Sequence, residues 1–390
     1  MGTRPRVAVE LRPEGVVAAR ADGSVGVLAA VSRGELREGA VLPGLRAGNV
    51  ADRAAVSGAV RRALDEVAAQ SGERSRYVTL VVPDAAVRVL LLDFDALPGK
   101  AAEAMAVVRF RLKKLLPFDA EHAVVSYQVM SSERDMVRVL VAAMPCEVLT
   151  EYERVVTEAG YLPGSVLPST LAALAGIDAV DDSAAPALVV NAGPETVTTA
   201  IVRGGVLLLH RTVDLRMDGS AGAGAAVPSG RDPGAGLNGS ALGSRLAGTD
   251  GESFAGEWSR QDLVDAGRTD AGTEMLTDDM PGGVEALLRR EVDEVVEALN
   301  EASPVSVGHD VTQAVSVAAA YFEDTLGGPP AVLLAAGTMG AERMRSVLRR
   351  HGMEGLEVRE MVEAEAMGAG ASTTRVARGW LAGVRGALRS

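Results

Sequence analysis

The chain has 390 residues, 39 basic and 52 acidic side chains and a formal charge of −13, enough length for one or two domains with a full core. Hydrophobic residues make up 47% but aromatic residues only 3%, so the core must be Ala, Val and Leu, and an acidic chain with few stacking platforms excludes sequence-independent nucleic-acid binding. A single cysteine, Cys146, excludes an intrachain disulfide and a CxxC zinc site, and His122, His210, His309 and His351 are too dispersed for HExxH, so a reducing, cytoplasmic setting is expected.

The amino terminus is broken by Glu10, Arg12 and Glu14 and carries no secretory signal, and no apolar run approaches the ~20 residues of a membrane span. Gly2 does not signal myristoylation, because Arg6 stands where Ser or Thr is needed. Three β-rich runs follow, RVAVEL (6–11), VVAARA (16–21) and SVGVLAAV (24–31), punctuated by Pro13, Gly15, Asp22 and Gly23. Val56, Val60, Leu64 and Val67 recur at helical spacing, and Tyr77 to Val82 returns to a strand, giving a βββαβ unit.

A second unit has a strand at Val87 to Phe94, a helix from about Ala101 to Leu116 stopped by Pro117, and strands at Ala123 to Met130 and Met136 to Met144. A helix with Val148, Tyr152, Val155 and Val156 on one face then closes at Gly160, and a short strand ends near Pro168. The meander recurs at 186–193, 196–204 and 205–214, so the chain reads as internally duplicated. Even the first hairpin turns align, Arg12-Pro13-Glu14-Gly15-Val16 with Gly193-Pro194-Glu195-Thr196-Val197.

Residues 218–283 hold 15 of the 44 glycines and four cations against eleven acids, with no apolar period, and read as a disordered acidic linker. Helices are expected at 284–302 and 311–326, a strand at 331–337, a helix at 341–350, and an amphipathic tail over 375–390, with Trp380, Leu381, Val384 and Leu388 packing on the core.

The duplicated meander with an inserted α+β unit, together with RLKKLLPFDAEHAVVSYQVM (111–130), AGYLPGSVLPSTLAALAGI (159–177) and VLLAAGTMG (332–340), resembles the type IV pilus assembly protein PilM family, relatives of FtsA in the actin-like ATPase superfamily. That resemblance implies an α/β actin-like (ribonuclease H-like) duplicated two-lobed fold. Residues 1–84 would begin the first lobe, 85–168 would form the inserted α+β subdomain, and 169–185 the connection. Residues 186–217 would begin the second lobe, 218–283 would be the insert, and 284–390 the remainder with a C-terminal helix. It also implies a cytoplasmic protein at the inner face of the bacterial inner membrane, holding the short cytoplasmic tail of a PilN-like membrane protein in a groove between subdomains and touching other platform or motor proteins. The insert lies where relatives often carry a further small subdomain.

Family members bind ATP between the lobes through two hairpin turns with Asp-x-Gly and Ser or Thr. A phosphate-gripping turn needs inward N–H groups, small residues and hydroxyls. The first turn here offers Glu10, Leu11, Arg12, Pro13 and Glu14, and the second Asn191, Ala192, Gly193, Pro194, Glu195 and Thr196, while the adenosine-side loop keeps Gly337 and Gly340. Pro13 and Pro194 delete donors, and Glu14 and Glu195 bring like charge toward a triphosphate. Arg12 as a charge-assisted donor and Glu10 as a longer acid are what a residual ATP site would rely on. No catalytic group and no metal site emerge, ATP hydrolysis is not expected, and the candidate nucleotide positions are degenerate.

Phe94 stands where a P-loop ending at Gly99-Lys100 needs glycine, so none is present. Cys146 reads as a small core or helix-cap residue and His210 as structural. Arg109, Arg111, Lys113 and Lys114 form a basic helix end, explained by the helix dipole or by contact with anionic lipid or an acidic partner. The expected role is thus an adaptor that captures a peptide. The alternatives are an ATP-hydrolysing actin-like enzyme, which would need acids at both turns, and a GspL-like component of a type II secretion platform, usually followed by a membrane span that this sequence lacks.

Overall fold

The computed structural model describes residues 5–22, 26–133, 136–177, 186–215, 308–368 and 376–389, all within one compact unit. The expected linker at 218–283 and helix at 284–302 lie outside these residues. Strands β1 (Val7–Arg12), β2 (Gly15–Asp22) and β3 (Val27–Glu35) form the first meander, helix α1 (Arg53–Ser71) follows, and β4 (Tyr77–Val82) returns parallel to β1. The inserted unit contains β5 (Arg88–Phe94), α2 (Ala101–Leu112), β6 (Ala123–Glu133) and β7 (Met136–Pro145). Helix α3 (Cys146–Glu158), β8 (Leu162–Pro168) and α4 (Ser169–Leu174) lead out of it.

The second meander is β9 (Ala187–Ala192), β10 (Thr196–Arg203) and β11 (Val206–Asp214). Helix α5 occupies 308–326, followed by β12 (Val332–Ala336), α6 (Gly340–Arg350), β13 (Glu357–Glu360), a turn at Arg378–Leu381 and α7 (Ala382–Arg389). One sheet has the order β3-β2-β1-β4-β8 and the other β11-β10-β9-β12-β13, in each case an antiparallel meander extended by parallel strands. Identical orders built from successive halves of the chain make this a duplicated fold. The third sheet, β5-β7-β6, belongs to the insertion and packs its Val125, Val139 and Val141 with Val108 and Leu112 of α2.

All six residues of β1 are buried, as expected for a central strand covered on both faces. On one face lies α1, started by the Asp52 carboxylate accepting the Ala55 N–H at 3.0 Å and ended by Gly72 at φ +67°, with Val56, Ala59, Val60, Ala63, Leu64 and Val67 inward. On the other lies α7, whose Leu381–Ala387 stretch joins a core shared by both sheets, with Ala8, Val17 and Val81 from one and Val189, Ala200 and Ala336 from the other. Glycine is required here: a Cβ on Gly386 would overlap the Ala172 carbonyl oxygen of α4, and one on Gly383 would overlap the Glu10 carboxylate.

Three elements differ from the sequence expectation, among them α4, a short helix within the segment read as a connection. Helix α2 ends at Leu112 rather than Leu116, because ahead of Pro117 the backbone tightens into three-residue bonds, Lys114 N–H to Arg111 O at 3.4 Å and Leu115 N–H to Leu112 O at 3.0 Å. Strand β13 was not expected, since Glu-Val-Arg-Glu has a single apolar residue; it pairs parallel to β12 at the sheet edge.

Candidate functional site

The site is built where β1, β4, β8 and β9 end and the two lobes meet. Parallel strands release their carboxyl ends to one edge, so polar residues there converge from distant parts of the chain. Glu10 and Arg12 lie at the end of β1, Asp84 just beyond β4, Ser169 and Thr170 just beyond β8, and Asn191 near the end of β9. All six are buried.

Arg12 is the bridge. Its Nη2 meets Glu10 Oε1 at 2.6 Å and donates to Ser169 Oγ at 3.1 Å, while Nη1 donates across the lobe boundary to Asn191 Oδ1 at 3.4 Å. Ser169 Oγ donates to Glu10 Oε1 at 2.6 Å. The Asn191 amide nitrogen reaches back to Ser169 Oγ at 2.9 Å, Thr170 Oγ1 at 3.0 Å and Asp84 Oδ2 at 3.3 Å. Asp84 also accepts from Thr170 N at 2.9 Å and Thr170 Oγ1 at 2.5 Å. The result is a polar knot that joins the lobes.

Burial holds the Glu10 carboxyl above the usual glutamate range, opposed by the Arg12 charge and the Ser169 hydrogen bond. Its second oxygen, Oε2, makes no hydrogen bond and lies against the backbone of Gly383 in α7. His210 on β11 is held below the ordinary histidine value by burial, with Asp84 opposing.

The loops that would hold phosphates are already engaged. Glu14 Oε1 accepts from Thr338 Oγ1 at 2.8 Å and is the nearest neighbour a Cβ on Gly193 would meet. Glu360 Oε1 accepts the Ala341 N–H at 2.8 Å in the first turn of α6, the place where an anion would gain most from the helix dipole. Gly337, at φ +87°, donates its N–H to Gly379 O at 2.9 Å and packs against Ala192 and Asn191, and Gly340, at φ +68°, opens α6 beside Glu360. The cavity left between the hairpins, lined by Arg12, Pro13, Glu14, Asp84, Asn191 and Thr196 among others, has a volume of about 30 Å³. That is room for a water, not for a triphosphate.

Several features here oppose the grip of a triphosphate: two prolines offer no N–H, the Glu14 carboxylate lies beside Gly193, and the Glu360 carboxylate takes the Ala341 N–H at the start of α6. Among the described residues no three His, Cys, Asp or Glu side chains are grouped to hold a metal ion.

Of the sequence candidates, Glu10, Arg12 and Asn191 come together in the knot. Gly193 lies beside it under Glu14, and Thr196 lines the small cavity while its carbonyl takes the Gly193 N–H at 3.0 Å. Gly337 and Gly340 border the cleft on the α6 side and are not in the knot. Asp84, Ser169 and Thr170 were missed; Asp84 and Ser169 directly follow Pro83 and Pro168, which marks the strand ends but not that these ends converge. Cys146 is exposed at the start of α3 rather than in the core. With Val50, Ala51, Arg53, Thr150 and Arg154 it lines a groove of about 500 Å³ where the inserted subdomain rejoins the first lobe. The groove's loop is held by Glu151, which accepts the Gly48 and Val50 N–H groups at 2.6 and 3.2 Å. No described helix is long and apolar enough to cross a membrane.

No protein-family model matches the chain, and no curated protein sequence matches it. Among solved structures, a chain of a PilM-PilN type IV pilus biogenesis complex is similar over 98% of both chains at 18% identity and a TM-score of 0.64. The ethanolamine utilization protein EutJ from Carboxydothermus hydrogenoformans is 11% identical over 98% of this chain and 89% of its own, at a TM-score of 0.43. The cytoplasmic domain of EpsL from the type II secretion system of Vibrio cholerae is 14% identical over 54% of this chain and 71% of its own, at 0.34. The repeated sheet order and the end-to-end match to the pilus complex chain give the chain an actin-like, duplicated two-lobed α/β fold with an inserted α+β subdomain.

Proposed function

We propose that this protein is a peptide-holding adaptor of a type IV pilus assembly platform, working at the cytoplasmic face of the inner membrane. In this reading it binds the cytoplasmic tail of a PilN-like membrane protein and does not use ATP. The observation that carries the reading is the likeness, over 98% of both chains, to a chain from a PilM-PilN complex. The occupied cleft supports the second half: a body whose phosphate loops are engaged by its own side chains has surfaces, not chemistry, to offer. The tail's place is the groove beside Cys146, where Val50 and Ala51 supply apolar contact and Arg53 and Arg154 supply donors for an extended chain.

The test is a titration of the full chain, labelled at Cys146 with an environment-sensitive fluorophore, with synthetic amino-terminal tails of PilN-like proteins from its own genome. A saturable response, and its loss in Val50→Asp, is the expected outcome. No response to any such tail, with none in an unlabelled pull-down, overturns the adaptor reading. Tight, magnesium-dependent ATP binding overturns the nucleotide-independent part of it.

A further inference from the structure

Helix α2 has two apolar faces where a surface helix needs one. Val108 and Leu112 face the β5-β7-β6 sheet. Phe110 lies on the opposite side and is 71% exposed, with Val107 beside it and Leu115 exposed in the turn that follows. An aromatic ring left this open in water is unusual for a helix whose core contact is already complete.

Charge surrounds the ring asymmetrically. All three lysines of the chain, Lys100, Lys113 and Lys114, fall within residues 100–116, which hold five cations and one acid in a protein of net charge −13. Lys100 pairs with Glu103 at 3.1 Å, Lys113 with Glu121 at 2.7 Å, and Arg109 turns inward to the carbonyls of Ala120 and Ala123. Arg111 and Lys114 are exposed and make no ion pair among the described residues. By helical spacing Val107 and Phe110 share the outward face, with Arg111 on its flank and Lys114 in the turn that follows.

We propose that this face docks on an anionic phospholipid surface, with Phe110 and Val107 entering the headgroup boundary and Arg111 and Lys114 meeting the lipid charges. Exposed apolar side chains ringed by cations are the composition that interfacial helices use. Charge complementarity selects the bilayer: the molecule as a whole is acidic and repelled by such a surface, whereas residues 100–116 carry five cations against one acid and present the opposite sign. An acidic protein segment would satisfy the cations but gives no reason for a ring as exposed as Phe110. The inference does not depend on which polypeptide the groove holds.

Vesicle flotation of the full chain tests it, with phosphatidylcholine vesicles containing or lacking 30% phosphatidylglycerol. Partition onto the anionic vesicles should exceed that onto neutral ones by at least tenfold at low salt and fall steeply as salt is raised. Each cation near the surface is worth roughly fivefold, so Arg111→Glu with Lys114→Glu should cost about 25-fold or more. Phe110→Ser should cost about tenfold on its own. These side chains are exposed, so the variants should melt like the parent, and a melt confirms that loss of partition is loss of docking. Equal partition onto both vesicle types, or undiminished binding by the variants, overturns the proposal. So does capture of this face by an acidic protein segment with no vesicle binding.

Discussion

Replacing Arg12 by methionine removes the bridge of the knot while keeping its length and much of its apolar stem. Glu10 is fully buried, and its Oε1 then keeps only the Ser169 hydroxyl at 2.6 Å. Breaking a buried ion pair from one side costs about 3–5 kcal/mol, because the remaining charge stays desolvated. Asn191 Oδ1 and Ser169 Oγ lose a donor each, at about 1 kcal/mol apiece where nothing replaces it. The single variant should therefore lose about 5–7 kcal/mol at pH 7, read from the midpoint of urea unfolding. Without the guanidinium the Glu10 carboxyl rises further and takes up a proton more readily, so the loss should shrink toward pH 5. Adding Glu10→Gln removes the stranded charge and should return the double variant to within about 2 kcal/mol of the parent. A single-variant loss below about 1 kcal/mol at pH 7, or a double variant no better than the single, would refute the view that Arg12 neutralises Glu10 and ties the lobes.

Gly386→Ala should lower the melting temperature sharply, by the equivalent of about 3 kcal/mol, since its methyl group meets the Ala172 backbone rather than a movable side chain; a variant as stable as the parent would show that α7 can lift off α4 at little cost. Glu73 accepts the Arg74 and Ser75 N–H groups, both at 2.9 Å, with Arg20 nearby, and these bonds hold its carboxyl below the usual range. Its stabilisation should be present above the ordinary glutamate value and fade as pH falls through the depressed one, so the gap between the parent and Glu73→Gln in unfolding midpoint should close on acidification. A gap constant from pH 7 to pH 3 would contradict that assignment.

The regular elements were legible because local chemistry agrees with the fold. Pro13, Gly15 and the β-branched runs around them specify hairpins, and the four-residue rhythm from Val56 to Val67 specifies α1. Strand β13 was not legible, as a short edge strand with Val358 alone buried has no pattern to show. The roles of Gly383 and Gly386 were hidden for a different reason: each glycine answers to a partner far away in sequence, Glu10 or Ala172. The same limit applied to the site. Glu10, Arg12 and Asn191 could be named from the duplicated hairpins, but Asp84 and Thr170 enter only when the strand ends are brought together, and nothing in the turns announces that Glu14 will reach Thr338, 324 positions away.

Arg12, Glu14 and Glu360 are tethered to the places they fill, which sets a competition no dissolved anion enters on equal terms. A group on the same chain acts at an effective concentration fixed by geometry, whereas a metabolite must displace it from the bulk. On the proposed reading, in which the protein does not use ATP, the spacing of the two lobes should stay the same whether the surrounding energy charge is high or low.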